Sequence, residues 1–470
     1  MPSYSTYSID ILSGSEAAAN KAYIALNSGN SNRYCIRFDK SKQMTYTFFV
    51  PPWYYFYSYD SNPATSTIYW TPTNPSTGVA NWALYSSILY PGFSLDTVSV
   101  LASSVSGFVN SQSIYTTQFA QPIPLPSYSS QGSLCLAQVR RLYSGDTISG
   151  TLDLLGYNYR FMTDPISMGN REGVYLPSFA LVAHGDTYVG DLAWSPYGFR
   201  GLYPLMQDQN SNGSIVGSFF LPDNMDSSRT ISFTIIAVKT GTGPNPINIQ
   251  YVIQQETSFL NYTQISSGYS SFGSGVNTSD SIWFQRIEVP AQGLSPGIPT
   301  QIKVIRTPDA YPNPLAILGI FIDYNTFPNS NKRKCISPAS TSSSGSVTLI
   351  GSDDVAISLP GSGSVDFNFS VASGAFDRAL VRIVWTTPST GTSGYQFRTW
   401  RGSSAVDPIL IPGNTINATS NGAYNINETI DYIYDKPGEI SVLRIEQISN
   451  LPIYILGVDL IFRTAPEESS

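Results

Sequence analysis

Three stretches of this chain repeat one loose phrase at the spacing of whole domains, which restricts the fold to a tandem of like units. The third stretch carries it most fully. It reads Val381-Arg-Ile-Val-Trp385-Thr-Thr-Pro388-Ser-Thr-Gly391, then Lys436-Pro-Gly438, Val442-Leu-Arg-Ile-Glu446 and Ile455-Leu-Gly457-Val-Asp-Leu-Ile-Phe462. The first has Thr67-Ile-Tyr-Trp70-Thr-Pro-Thr-Asn-Pro75-Ser-Thr-Gly78 and closes on Leu154-Leu-Gly156-Tyr-Asn-Tyr-Arg-Phe161. The middle one keeps the ending: Ser295-Pro-Gly297, Ile302-Lys-Val-Ile-Arg306 and Ile317-Leu-Gly319-Ile-Phe-Ile-Asp-Tyr324. Stretches one and two also share an opening, Phe48-Phe-Val-Pro51 and Phe219-Phe-Leu-Pro222. A period of roughly 130–160 residues is that of a domain rather than of a solenoid turn.

Each unit reads as β-structure. Met44–Val50 alternates and is stopped by Pro51 and Pro52, as a strand end should be. Thr67–Trp70 and Ala80–Tyr85 flank a turn-rich loop and read as a hairpin. Arg229–Val238 with Ile247–Ile253, and Ala379–Trp385 with Gly394–Trp400, read the same way. The Gly of each Leu-Gly pair is expected to let the Trp of the hairpin strand lie against backbone. Turn signals every ten residues or so imply an all-β fold of three tandem jelly-roll or Greek-key β-sandwich domains. The expected layout is an N-terminal arm over 1–32, unit one over 33–163, unit two over 164–328, a Ser-rich linker over 329–345, unit three over 346–464 and an acidic tail over 465–470. Within the arm, Glu16–Leu26 is the one run of good helix formers and reads as a short helix or a docking segment.

Composition narrows the function. Charged residues make up 12% of the chain, about half the usual share, so Ser, Thr, Asn, Gln and 31 Tyr must supply the polar surface. A net charge of −7 argues against nucleic acid as a partner. The basic cluster Lys332-Arg-Lys334 reads as solvated linker. A single histidine, His184, cannot build a multi-His metal site, and no nucleophile elbow, P-loop or dinucleotide fingerprint occurs. Cys35, Cys135 and Cys335 lie far apart and read as buried thiols. The first thirty residues carry no secretory signal pattern, and the longest apolar run, Ala316–Ile322, has the length of a strand rather than of a membrane span. The expectation is therefore a non-enzymatic protein without a cofactor.

Two segments are candidate sites. Asp208, Asn210 and Asn212, followed by Gly213, match the first half of a calcium loop, but its twelfth position is Phe219, so a plain polar turn is the competing reading. Trp53, Tyr54, Tyr55 and Tyr57 are too densely spaced for alternating burial, and exposed rings there would stack on sugars or fill a protein interface.

The phrase as a whole resembles the repeats of virion structural proteins of phages and archaeal viruses. The residues that carry the resemblance are Trp70, Pro75–Gly78 and Leu155-Gly156 in unit one, and Trp385, Pro388–Gly391, Pro437-Gly438, Arg444 and Leu456-Gly457 in unit three. The middle unit departs from it, lacking the Trp and the Pro-Ser-Thr-Gly loop. The resemblance implies one jelly roll per unit and a place in a capsid, spike, turret, fibre or decoration layer. Its partners would be other copies of the chain and other virion proteins. Its location would be the virion, after synthesis in the host cytoplasm. The alternatives are a glycan-binding adhesin or host-receptor-binding protein and, more remotely, a polysaccharide-active enzyme.

Overall fold

The structure is a computed structural model. It describes residues 3–9, 20–26, 31–40, 42–50, 65–74, 77–92, 101–109, 115–119, 132–163, 171–194, 199–206, 213–222, 224–258, 261–272, 280–327, 333–336, 346–350, 354–369, 378–388, 393–403, 407–420, 422–433 and 441–463. Unit one comprises β1 (Ser3–Ile9), β2 (Asn20–Leu26), β3 (Ser31–Phe38), β4 (Gln43–Val50), β5 (Thr65–Pro72), β6 (Gly78–Leu89), β7 (Leu101–Val109), β8 (Tyr115–Phe119), β9 (Ser133–Arg141) and β10 (Leu152–Thr163). Unit two comprises β11 (Arg171–Pro177), β12 (Leu181–His184), β13 (Thr187–Trp194), β14 (Phe199–Met206), β15 (Ser214–Phe220), β16 (Thr230–Lys239), β17 (Ile247–Ser258), β18 (Asn261–Phe272), β19 (Ser281–Pro290), β20 (Pro299–Arg306) and β21 (Leu315–Asn325). Unit three comprises β22 (Arg333–Ile336), β23 (Ser346–Ile350), β24 (Asp354–Leu359), β25 (Ser364–Phe369), β26 (Arg378–Thr386), β27 (Ser393–Ser403), β28 (Asp407–Ser420), β29 (Asn427–Ile433), β30 (Ser441–Gln447) and β31 (Ile453–Arg463).

The three units share one topology. In unit one a sheet ordered β2-β3-β10-β5-β8, with β1 also on β10, faces a sheet ordered β4-β9-β6-β7. Unit two repeats this as β13-β14-β21-β16-β19 with β11 on β21, facing β15-β20-β17-β18 with β12 added at the β15 edge. Unit three repeats it as β23-β24-β31-β26-β29 with β22 on β31, facing β25-β30-β27-β28. Every pairing is antiparallel. The chain is thus three tandem β-sandwiches in the same strand order, as the sequence implies.

The local pairing differs from the expected hairpins. β5 and β6 lie in opposite sheets, and so do β16 and β17, and β26 and β27. Their turn-rich loops arch across the sandwich, so Trp70 and Trp82 meet from the two sides of one core with ring centroids 5.7 Å apart. The segment expected as an N-terminal arm carries β1 and β2, and Asn20–Leu26 is a strand rather than a helix. The good helix formers there are overridden by the free edge of β3. Arg333–Ile336 of the expected linker likewise pairs with β31 as the first strand of unit three.

The repeated Leu-Gly has one structural meaning in all three units. Opposite Tyr69 and Trp70, β10 pairs through Gly156 and Leu154 and leaves Leu155 out. β21 skips Leu318 between Gly319 and Ile317, and β31 skips Leu456 between Gly457 and Ile455. The phrase is therefore a β-bulge, one extra residue that turns a side chain to the other face of the sheet. Gly319 and Gly457 do not seat a tryptophan. Trp70 and Trp385 are buried in their own cores, where each indole Nε1 donates to a threonine Oγ1 on the neighbouring strand, Thr117 at 2.9 Å and Thr429 at 2.8 Å.

A second recurrent device closes the loop before the last strand. Arg141 ends β9 with no exposed side-chain surface, and its guanidinium holds Asp146 at 2.7 and 3.0 Å. It also donates to the carbonyls of Phe38, Ile148 and Gly150. Arg306 ends β20 in the same way, holding Asp309 and donating to the carbonyls of Met206, Tyr311 and Asn313. A buried guanidinium is tolerated because a carboxylate and three carbonyls satisfy it. In unit three the matching strand end is Gln447, whose amide donates to the Leu451 carbonyl.

Candidate interaction faces

The outward bulge leucines mark how the units meet. Leu318 belongs to a cluster with Phe49, Leu89, Leu134 and Leu136 of unit one, so the β4-β9-β6 face of unit one packs on the β14-β21-β16-β19 face of unit two. Leu456, with Ala356 and Val384, joins the cluster of unit two. Leu155 is 1% exposed yet lies outside the core cluster of its own unit.

Both seams use the second Phe of the shared opening. Phe48 turns into its own core, against Tyr159 at 5.3 Å. Phe49 points out and meets Phe321 at 4.6 Å, Phe284 at 5.7 Å and Tyr175 at 6.5 Å, all of unit two. Tyr175 lies where a side chain at Gly319 would sit. Burial pushes its hydroxyl pKa up, partly offset by a hydrogen bond with Thr47 of unit one. In unit two Phe219 faces inward, edge-on to Phe233, while Phe220 covers Gly457 of unit three. An added Cβ at Gly457 would overlap that ring. The Leu-Gly bulge thus makes one inter-unit joint, with a leucine going out and a glycine making room for an aromatic. Polar links accompany it. Gly92 N–H donates to the Ile282 carbonyl at 2.8 Å, and Arg382 Nη2 donates to the Gly297 carbonyl at 2.9 Å, in the Pro-Gly turn.

Equivalent strands approach one another a third time, which closes the chain on itself. Cα atoms of β4 and β11, of β15 and β22, and of β25 and β1 come within 8 Å of one another, and these are equivalent pairs in the repeat. β28 also approaches β3. Head-to-tail contacts that return to the start make a ring, here a pseudo-threefold one within a single chain. The accessible surface of 18837 Å² fits units packed on one another. One compact body of 51.2 kDa would expose about 17,000 Å², and three separate sandwiches about 23,000 Å². The face that unit one turns toward unit three carries charge at one equivalent position. Where unit two presents Leu205 and Ala316, unit one presents Arg37 and Asp153, joined at 2.9 and 3.2 Å.

The sheets that carry these seams expose an aromatic on an edge strand. Phe108 on β7 is 64% exposed, and Tyr269 on β18, the equivalent edge strand, is 75% exposed. Tyr269 lies opposite Gln250, and further along the pair Gln254 Nε2 donates to Gln301 Oε1 at 3.1 Å. Gln301 Nε2 donates to the Tyr262 hydroxyl at 2.9 Å.

The sites expected from sequence fall mostly elsewhere. Trp53, Tyr54, Tyr55 and Tyr57, and likewise Asp208, Asn210 and Asn212, lie outside the described residues. Phe219, at the twelfth position of the calcium pattern, is a core side chain on β15. His184 is exposed at the end of β12. Cys35 and Cys135 are buried, with the Cys135 pKa pushed up by burial. Among the described residues no three His, Cys, Asp or Glu side chains are grouped to hold a metal, and no helix is long and apolar enough to cross a membrane.

No protein-family model matches the sequence, and no curated protein matches it. Among solved structures, the tandem CBM22 modules of Paenibacillus barcinonensis Xyn10C are 11% identical, with 62% of this chain and 97% of that one covered at a TM-score of 0.23. PNGF-II is 9% identical, with 86% and 100% covered at 0.23. The Bacillus thuringiensis delta-endotoxin Cry8Ea1 is 10% identical, with 83% and 53% covered at 0.22. At these scores the likenesses carry no argument about function.

Proposed function

We propose that this chain is a non-catalytic structural protein, a preassembled building block of a virion layer or appendage of the spike, turret, fibre or capsid-associated kind. One observation carries the reading: three like sandwiches close head-to-tail through equivalent faces. A single chain then does what a trimer of jelly rolls would do, presenting three related outer edges around one axis. Such a body suits a place of threefold or sixfold surroundings in a shell, with other copies and other virion proteins as its neighbours. The scarcity of charge favours contacts that salt does not dissolve. Light scattering at rising concentration, in low and high salt, followed by electron microscopy, tests it. The expected result is salt-insensitive association into closed bodies or incorporation into particles. A strict monomer at high concentration that joins no particle refutes it.

A second reading, a glycan-binding adhesin or receptor-binding protein, is favoured by the exposed ring of Tyr269 on the edge strand β18. The two readings are compatible, since an outer virion layer is where a host glycan would be met. A glycan array with the intact chain tests the second.

A further inference from the structure

We propose that β7 is an interface between copies of this chain, where it pairs antiparallel with β7 of a second copy about a twofold axis at Val105. This rests on the building-block reading above and names the surface that joins the blocks. Among the described residues β7 pairs with β6 alone, which leaves its second side as a row of backbone N–H and C=O groups ready for another strand. Ala102, Ser104, Ser106 and Phe108 form one face of the strand, and all four are exposed, Phe108 by 64%.

β7 stands apart from the other edges. It has nine residues, keeps register with β6 without a bulge, and contains neither a charge nor a proline. Charge, proline, bulges, shortness and cover are the means by which sheet edges are kept from pairing. Each of the other edges among the described strands has one of them. β18 and β28, the equivalents of β7 in units two and three, each carry two register shifts. β19 has Arg286 and Pro290, and β29 has Glu428. β2, β13 and β25 have Lys21, Asp191 and Asp366 in sequence. β8, β12, β22 and β23 have five residues or fewer. β1 is approached by β25 of unit three, and β4 and β11 approach one another.

The residues of β7 also match themselves when the strand is reversed. Centring the axis on Val105 lets all nine residues pair, a ladder of about 30 Å. Phe108 then lies opposite Ala102 of the second copy, and Ser104 opposite Ser106, with both pairs repeated across the axis. The small Ala102 leaves room for the ring, and hydroxyls facing hydroxyls are a favourable cross-strand pair. On the other face Val105 meets its own counterpart and Ser103 meets Gly107, so no charge enters the joint. Such a contact is isologous and closes on two copies, and salt has little in it to screen. A strand of another protein has no use for this self-matching, and an uncharged edge gives it no electrostatic handle.

The test is sedimentation equilibrium of the full chain over a concentration series. Ser104→Lys, which sets like charges diagonally across the axis, is compared with Thr116→Lys at an exposed position of β8. Val105→Cys gives a second readout against oxidised wild type, because a residue opposite its own counterpart lies within disulfide reach. Melting curves confirm the fold of each variant. The expected result is association that Ser104→Lys weakens at least roughly tenfold and Thr116→Lys leaves alone, with a Val105→Cys dimer that reductant releases. Association with neither effect overturns β7 as the surface while the building-block reading stands. Sensitivity to Ser104→Lys without the cross-link overturns the twofold register. No self-association overturns the joint, and if the chain also joins no particle the building-block reading falls with it.

Discussion

Phe49→Ala tests the seam between units one and two most directly. The ring is 2% exposed, and its partners at 4.6, 5.7 and 6.5 Å are all on the other unit. Truncation of a buried Phe costs about 3–5 kcal/mol, and the value rises where the walls cannot collapse. The walls here are two β-sheets held by their own ladders, with Leu134, Leu205 and Leu318 in the same cluster. The expected loss is therefore about 4 kcal/mol, of which the lost aromatic pairings supply about 1–2. For a unit of this size that lowers the melting temperature by about 8–16 °C. The loss also falls on coupling between units, because the residue touches little of its own core. Calorimetry of the variant should show unit one melting apart from the rest, with its own sandwich intact by circular dichroism below that transition. A loss under about 1 kcal/mol with one undivided transition would refute the claim that this face is a packed joint.

Further outcomes follow from the same geometry. Gly457→Val should destabilise by about 2 kcal/mol or more through the clash with Phe220, and Phe220→Ala in the same chain should recover part of that loss, which a double-mutant cycle measures. Burial pushes the Asp323 carboxyl up to about 6 despite Arg171 and Arg286 nearby, and one of its oxygens is buried without a hydrogen-bond partner. Its folded pKa exceeds its unfolded one, so the native state binds this proton more tightly and stability falls as pH rises from about 4 through 6. Asp323→Asn should therefore gain about 2–3 kcal/mol on the wild type above pH 7 and nothing at pH 4, read from denaturant midpoints across pH; a constant difference would refute the assignment. Because unit one has Arg37 and Asp153 at the positions where unit two places Leu205 and Ala316 in an apolar seam, hydrogen exchange should show β1, β3, β25 and β28 opening before β4, β9 and β16.

The sandwich class and the threefold recurrence are legible in the sequence because strand alternation and turn residues are local. What the recurrence does is less legible. Leu155, Leu318 and Leu456 read as strand residues, and nothing local says that each is the unpaired member of a bulge, because a bulge is defined by the partner strand. Proline- and glycine-rich loops serve a hairpin and an arch between sheets equally well, so the turn chemistry at Thr71–Gly78 could not assign β5 and β6 to different sheets. Arg141 and Arg306 look solvated because they end strands beside turns, whereas the carbonyls that bury them arrive from Phe38 and Met206, about a hundred residues away. The Phe-Phe pairs carried the most readable hint: adjacent strand residues face opposite ways, so one ring of each pair had to leave its own core. The exposure of Tyr269 gave no signal, since it is an ordinary residue for this chain until the strands are paired.

The ring written into one chain has a consequence for symmetry itself. Three identical subunits around an axis must offer every neighbour the same surface, so a change that suits one contact is imposed on the other two. Here the joints after units one and two are held to a common plan by a leucine, a glycine and an aromatic, while the loops and edge strands between them are free to diverge. Unit one can keep Ser104 where unit two keeps Tyr269, and among the described residues unit two alone carries an extra strand, β12, at one corner. A lattice built from such a piece can meet three different neighbours with one gene product.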